Sequence, residues 1–335
     1  MGKVVEVPGD EELRVLEDKT GVLTLRSKRT ERLKRKQARK AQKKSERKSH
    51  NLSNLPYELV LNVLVFLGPR DILTLQQVSK FFQVLIAQEE HSLARAVHRT
   101  RFQCLDKCFR LPVLLSDVDP AVHGHLKNPD RRELTAIHRK PYYQHVQQPD
   151  PAEICTCLTC LLRWSALCLV VDFAYWQDHL DKGEPIPTIP RGSLPEWNQS
   201  LIARNAALVR KALYSPLYYL RLLEMHLNST IRSIRRHSVN KSIQRPRFHI
   251  TQDDINSGTD HWLSRSGPLT YDLPYHRNNY DMLESWLPNR SWSSELKQWI
   301  YIPAEQHNKD LELVVKWAEQ RKTARDQVVV NTSCS

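Results

Sequence analysis

Apolar positions along this chain recur at helical spacing, and the first run of them is wider than one helix face. In the stretch 55–67, LPYELVLNVLVFL, eight of the nine residues from Leu59 to Leu67 are apolar. Pro56 suits a first helical turn, where its missing N–H is not needed. Gly68-Pro69 supplies the usual stop. Periodicity alone also allows a buried strand, but the length and the Pro/Gly punctuation predict a helix. Leu59, Val63, Phe66 and Leu67 share one face, while Val60, Leu61 and Leu64 point elsewhere. A surface helix needs a single apolar stripe, so this one needs cover on two sides. In the following DILTLQQVSKFFQVLIAQ, Ile72, Leu75 and Val78 continue a helical period. Val78, Phe81, Phe82, Leu85 and Ile86 then fill the i, i+3, i+4, i+7, i+8 template, with Ser79 as the predicted cap. Three short helices in about 40 residues cannot bury that much apolar surface by themselves. The surplus marks a surface for another protein.

Helical signals resume at ICTCLTCLLRWSALCLVVDFAYWQDHLDKG, which stops at Gly183 before the Pro-rich EPIPTIPRGSLPEW. A second helix is predicted from about 199 to 214, and Ser215-Pro216 opens a third, PLYYLRLLEMHLNSTIRSIRRH. A final helix, roughly 304–324, carries Leu311, Val314, Val315 and Ala318 on one face. Between them, 262–301 places Trp or Tyr every few residues and predicts short helices and turns. Residues 111–153 have Pro, Asp and His without sustained period. No repeat of 20–50 residues is visible after residue 100, which argues against leucine-rich, WD40 or kelch arrays. The expected fold is mostly α. Its parts are a basic, largely disordered arm (1–50), a three-helix unit (51–100), a loop-rich linker (101–153), an irregular helical domain (154–325) and a tail (326–335).

The three-helix unit resembles an F-box, whose pattern is Leu-Pro-x-Glu-Leu, an apolar helix, Asp-Leu-x-x-Leu, then Val-Ser-Lys and an aromatic. The matching residues are Leu55, Pro56, Glu58, Leu59, Val63, Leu67, Asp71, Leu75, Val78, Ser79, Lys80 and Phe82. Ile72 replaces the common Leu and Phe82 the common Trp, both tolerant of the volume change. The resemblance implies docking onto the Skp-type adaptor of an SCF cullin–RING ubiquitin ligase, through Leu55, Pro56, Leu59, Val63, Leu67, Leu75, Val78 and Phe82. It also implies a non-catalytic role, in which other subunits transfer ubiquitin and the rest of this chain recruits a protein client. Farther on, CTC…C, DKGEPIPTIPRG, EWN and NRSW resemble an uncharacterised family of fungal F-box proteins, which lends no substrate.

Charge adds a second function class. Residues 26–48 hold 13 Lys/Arg and two Glu, a net of +11 out of the chain's +13, so the remaining residues sum to +2. Such an arm, with almost no apolar face, is expected to be solvated, and partly helical or disordered. It suits nuclear import or contact with nucleic acid. The alternative reading is therefore a nuclear, nucleic-acid-associated protein that uses the F-box for assembly or its own turnover. A second basic patch, 231–247, places Arg232, Arg235 and Arg236 as candidate contacts for a client or a phosphate. Its plainer reading is a solvated helix end.

Chemistry is sparse. No two of the nine glycines are two apart, so the dinucleotide fingerprint and the eight-residue phosphate loop are absent. There is no Gly-x-Ser-x-Gly elbow either. The amino terminus lacks a signal-peptide core, and the apolar run 166–176 is interrupted by Asp172 and too short for a bilayer. A soluble nuclear or cytoplasmic protein with no membrane partner is expected, its seven Cys reduced or metal-bound. Cys155, Cys157 and Cys160 read as small buried hydrophobes, so neither a cofactor nor a metal is expected. The alternative is a zinc site completed by Cys104, Cys108 or a His.

Overall fold

The computed structural model describes residues 28–46, 55–129, 131, 145–190, 192–239, 248–265, 274, 276–303 and 305–333. The chain divides into two compact units, Met1–Pro56 and Tyr57–Ser335. In the first, Lys28–Glu46 forms helix α1, and every side chain from Lys28 to Lys40 is exposed. Of the two readings of this arm, partly helical or disordered, the helical one applies over this span. Lys, Arg, Gln, Ala and Glu are all good helix formers, and a polar helix can stand in solvent without a packing face. Residues 1–27 and 47–50 of the expected arm lie outside the described residues.

The second unit begins with α2 (Tyr57–Val65), α3 (Pro69–Val78) and α4 (Lys80–Arg101). Gly68-Pro69 ends α2 and also opens α3, with Pro in the first turn. Ser79 caps α4 as predicted, its Oγ accepting the Phe82 N–H at 3.3 Å. Next come α5 (Leu105–Cys108), a 3-10 turn (Leu115–Asp117) and α6 (Pro120–Leu126). The long helices are α7 (Leu158–Lys182), α8 (Glu196–Tyr214) and α9 (Pro216–Val239). Gly183 closes α7 in the left-handed region, φ 70°, donating to the carbonyls of His179 and Leu180. Short helices α10 (Gln252–Ser257) and α11 (Trp262–Arg265) follow, then a 3-10 segment, Arg277–Met282. Strands β1 (Arg290–Ser293) and β2 (Gln298–Tyr301) form an antiparallel hairpin with Trp292 opposite Trp299. The expectation for 262–301 had turns and short helices without strands. The aromatic cross-strand pair, 5.3 Å between ring centres, is the local signal that favours a strand pair here. Helix α12 spans Gln306–Ser333, so its backbone runs on through most of the expected tail.

Helix α9 is the hub: α7, α8, α3, α4 and α5 all pack on it. The F-box region and the later helical region, set apart in sequence by a loop-rich stretch, thus share one core running from Val60 to Leu287. Helix α7 is buried almost all round. By length and composition alone it could cross a membrane, yet 61% of its most apolar window lies inside the protein. It also carries Asp172, which is fully buried.

That carboxylate is answered in full. Arg277 clamps it with Nη2 to Oδ1 at 2.7 Å and Nε to Oδ2 at 2.9 Å. The Tyr280 hydroxyl donates to Oδ2 at 2.9 Å, and Asn205 donates to Oδ1 at 3.3 Å. Arg277 also reaches Asn198 Oδ1 at 2.8 Å and lies over the rings of Trp176 and Trp197. Burial alone would lower the Arg277 pKa; the Asp172 carboxylate outweighs it and holds the guanidinium above its ordinary value. Removing one member of such a pair strands a buried charge. Arg277→Ala should therefore cost about 3–5 kcal/mol in urea unfolding. An Asp172→Leu/Arg277→Met double variant should recover most of that loss. If the single variant unfolds like the wild type, the clamp does not hold this core.

Candidate functional site: the F-box surface and its surroundings

The three opening helices turn part of their apolar surface inward and leave part of it in water. Val60 and Leu64 of α2, Ile72 of α3, and Phe82, Leu85 and Ile86 of α4 are core residues. Leu59 and Val63 lie on the other side of α2, and they and Phe66, in the turn just after it, are exposed, Phe66 by 79%. Val78 is 69% exposed, and Phe81 and Val84 are open as well. Leu55 and Pro56, just ahead of α2, are also exposed. The two-sided helix read from the pattern is therefore covered on one side by its own chain and uncovered on the other.

Three residues expected on this surface are placed differently. Phe82 is buried at 8% exposure and packs edge-on to Phe81, 5.2 Å between ring centres. Leu67 and Leu75 are half-buried and rest against the core. The template that put Val78, Phe81, Phe82, Leu85 and Ile86 on one face spans a helix break. Val78 closes α3 and Ser79 is extended, so Val78 does not share the α4 face. Within α4, Phe81 stands one residue, about 100° of rotation, from Phe82. Tyr57, Phe66, Phe81 and Val84 are the exposed apolar residues missing from the expected set. Tyr57 is partly committed, its hydroxyl donating to Glu89 at 2.6 Å.

A cleft of about 540 Å³ opens between α3, α7, α8 and α9. Arg70, Arg204, Lys211, Arg221 and Arg232 line it, and among the described residues no carboxylate does. Several of these cations have partners. Arg221 pairs with Glu224 at 2.7 Å, and Arg204 lies 5.0 Å over the Tyr175 ring. Arg232 binds Asp178 and Asp181, Arg236 binds Asp181 at 3.3 Å, and Arg235 donates to Gln252. The three arginines proposed for a phosphate thus do not converge. Arg232 and Arg236 brace α9 against α7, and Arg232 alone of the three reaches the cleft. The remainder of that basic patch, 240–247, lies outside the described residues.

The cysteines separate into two places. Cys104 and Cys108 sit in the main core, with Cys104 Sγ 3.1 Å from the Tyr301 hydroxyl. Cys155, Cys157 and Cys160 are buried together in a small satellite core, beside His307 of α12. Neither Cys104 nor Cys108 completes that group, as the zinc alternative had allowed. His307 does, and its own helix phase points to it. His307, Asp310, Leu311 and Val314 follow the i, i+3, i+4, i+7 pattern, so His307 belongs to the buried stripe of α12.

The two sides of the F-box helices predict opposite outcomes in stability measurements. Phe82→Ala should destabilise the protein by about 3–5 kcal/mol, as a buried aromatic removed from a packed core. Phe66→Ser and Val78→Ser should change stability by no more than about 0.5 kcal/mol, because these side chains already face water. Chemical denaturation of the three variants followed by circular dichroism tests the assignment. A large loss from Phe66→Ser would show that its face is already covered.

A family model described as F-box-like matches residues 52–99, the span occupied by α2, α3 and most of α4. No curated protein and no solved structure matches the chain. Motif order, helix boundaries and the half-covered apolar helices agree with that family match: the chain carries an F-box-like domain at residues 52–99.

Proposed function

We propose that this protein is the substrate-recruiting subunit of an SCF ubiquitin ligase. The F-box binds the Skp-type adaptor and the helical body holds a protein client. The observation that carries the proposal is the row of exposed apolar side chains on α2, the turn after it and α4, beside a core that is already filled. Water is a poor neighbour for Leu59, Val63, Phe66 and Phe81, and a partner's apolar groove removes that cost. The body supplies a second surface. The cation-lined cleft between α3, α7, α8 and α9 favours an acidic client segment: Glu224, Asp178 and Asp181 already pair with Arg221 and Arg232, and Arg70, Arg204 and Lys211 add positive charge beyond those ion pairs. The chain itself is read as non-catalytic, with the ubiquitin transfer left to the RING subunit and its conjugating enzyme.

One observation favours the second reading, a nuclear nucleic-acid-associated role. Helix α1 presents its cations in solvent, with each described side chain exposed. Affinity for DNA or RNA that falls steeply with salt, and vanishes on deleting residues 26–48, would support it. Import into the nucleus needs the same charges, and we propose a nuclear and cytoplasmic distribution governed by this arm. Replacing six of its Lys/Arg by Gln should shift a fluorescent fusion out of the nucleus. The melting temperature should stay nearly unchanged, since the exposed arm buries little.

The adaptor assignment is tested by binding. Leu59→Ala and Val63→Ala should each weaken association with the adaptor by about 1–3 kcal/mol, read by calorimetry. Affinity purification of the intact protein beside Leu55→Ala/Pro56→Ala sorts its partners by mass spectrometry. Partners lost with the double variant are ligase subunits, and partners retained are clients. Full adaptor affinity in both single variants, with folding intact, would remove the assignment.

A further inference from the structure

We propose that Cys155, Cys157, Cys160 and His307 form a site of three cysteines and one histidine for a structural zinc ion, which pins the start of α12 to the start of α7. The four ligand atoms lie within 4.8 Å of one another and all four residues are buried. His307 Nδ1 is 3.3 Å from Cys157 Sγ and 3.4 Å from Cys160 Sγ. A tetrahedral zinc with Zn–S near 2.3 Å and Zn–N near 2.0–2.1 Å requires S···N edges of about 3.5 Å and S···S edges of about 3.8 Å. The two S···N distances from His307 match those edges, and the other edges, none longer than 4.8 Å, need close by only about an ångström around the ion.

Local backbone geometry fits thiolates in these three positions. Residues 113–115 pair with 153–155 through Leu115 N to Glu153 O at 2.9 Å and Cys155 N to Val113 O at 3.0 Å. Cys157 then caps α7 and Cys160 stands in its first turn. Each sulfur receives one backbone N–H: Cys155 from Cys157 at 3.5 Å, Cys157 from Cys160 at 3.4 Å, and Cys160 from Val113 at 3.4 Å. N–H donors at a helix N-terminus favour the charged form of sulfur, the form that binds metal. Three thiolates and one zinc leave a net charge of −1. The buried guanidinium of Arg131 stands beside the site to meet it, held by the Thr156 carbonyl at 2.8 Å and the Thr156 hydroxyl at 3.2 Å. From the other side, Asp310, one turn after His307, accepts the Thr159 N–H at 2.7 Å and locks α12 in this position.

A divalent cation at the centre lets all three sulfurs be thiolates at once. The satellite core is also small: Leu115, Val118, Leu126 and Val314 are its buried side chains besides the three thiols. Such a core is a poor anchor for a 28-residue helix, and a metal supplies what it lacks. Zinc is the ion indicated, since a tetrahedron of three thiolate sulfurs and one imidazole nitrogen selects for it. All four positions are filled by protein, so the site is structural and keeps no open place for a substrate.

The test uses the full-length protein purified under reducing conditions without chelator. Elemental analysis should give about one zinc per chain. Exchange for Co(II) should give the intense visible bands and thiolate charge-transfer absorption of a tetrahedral sulfur-rich site. Cys160→Ser and His307→Ala should each lose the stoichiometric metal, while Cys104→Ser, outside the cluster, should keep it. If a ligand variant does not fold, the Co(II) titration of reduced wild-type protein decides by itself. A wild-type chain that holds no zinc and gives no tetrahedral cobalt spectrum would overturn the proposal. So would full metal content retained in both folded ligand variants.

Discussion

A carboxylate in the middle of an apolar helix sets the arrangement around it. Helix α7 is covered by α8, α9 and the 3-10 segment at Arg277–Met282, and Asp172 has no route to water from that position. An ionised group there is tolerable only with a partner of opposite charge and donors for its remaining lone pairs. Arg277, Tyr280 and Asn205 supply them, from a segment some hundred residues downstream and from the adjoining helix. The network therefore fixes where the irregular region after residue 274 lies against the long helices. It also places Trp176 and Trp197 around the guanidinium. The clamp joins α7, α8 and the 3-10 segment, and α9, which carries the F-box helices on its other contacts, packs against α7 and α8.

The F-box is consequently not a bead on a flexible string within the unit Tyr57–Ser335. Helices α3 and α4 rest on α9, the helix that also lines the basic cleft. Glu224 of α9 makes the link visible: its Oε2 accepts both the Arg70 N–H at 3.0 Å and the Arg221 guanidinium at 2.7 Å. For the recruiting role proposed above, the useful property is a fixed distance between client and transferring enzyme. A shared core provides that more firmly than a linker does, because packed interiors deform little.

Two small polar centres tie together segments that lie far apart in the chain. Asp260 is one, accepting the backbone N–H groups of Cys104 and Leu105 at 2.8 and 2.7 Å and so anchoring the loop before α11 to the start of α5. The Cys155–Cys157–Cys160–His307 group is the other, at the foot of α7. Each joins segments about 150 residues apart in the chain. The long separation explains why such contacts are built from specific polar groups. Loop closure over that length is entropically costly, and a directional interaction rewards one pairing over its competitors.

Local chemistry was legible in the residues themselves. Ser79 marks a helix start, Gly183 a helix stop and Pro216 a first turn, because each acts on backbone groups within four residues of itself. The F-box was legible for the same reason, as an ordered series of local signals, and so was the excess of apolar surface on α2. Which side of that excess is covered was a tertiary decision. Val60 and Leu64 face in and Leu59 and Val63 face out only because α4 packs on one side. Phe81 and Phe82 are adjacent and equally apolar, and the fold alone separates core from surface. Asp172 read as an interruption of a hydrophobic run until Arg277 came to meet it. Three close-set cysteines in an apolar helix start read as packing. His307, 147 residues beyond Cys160, enters the group only when α12 folds back on α7, since a side-chain cluster depends on distance in space and the sequence records only distance along the chain.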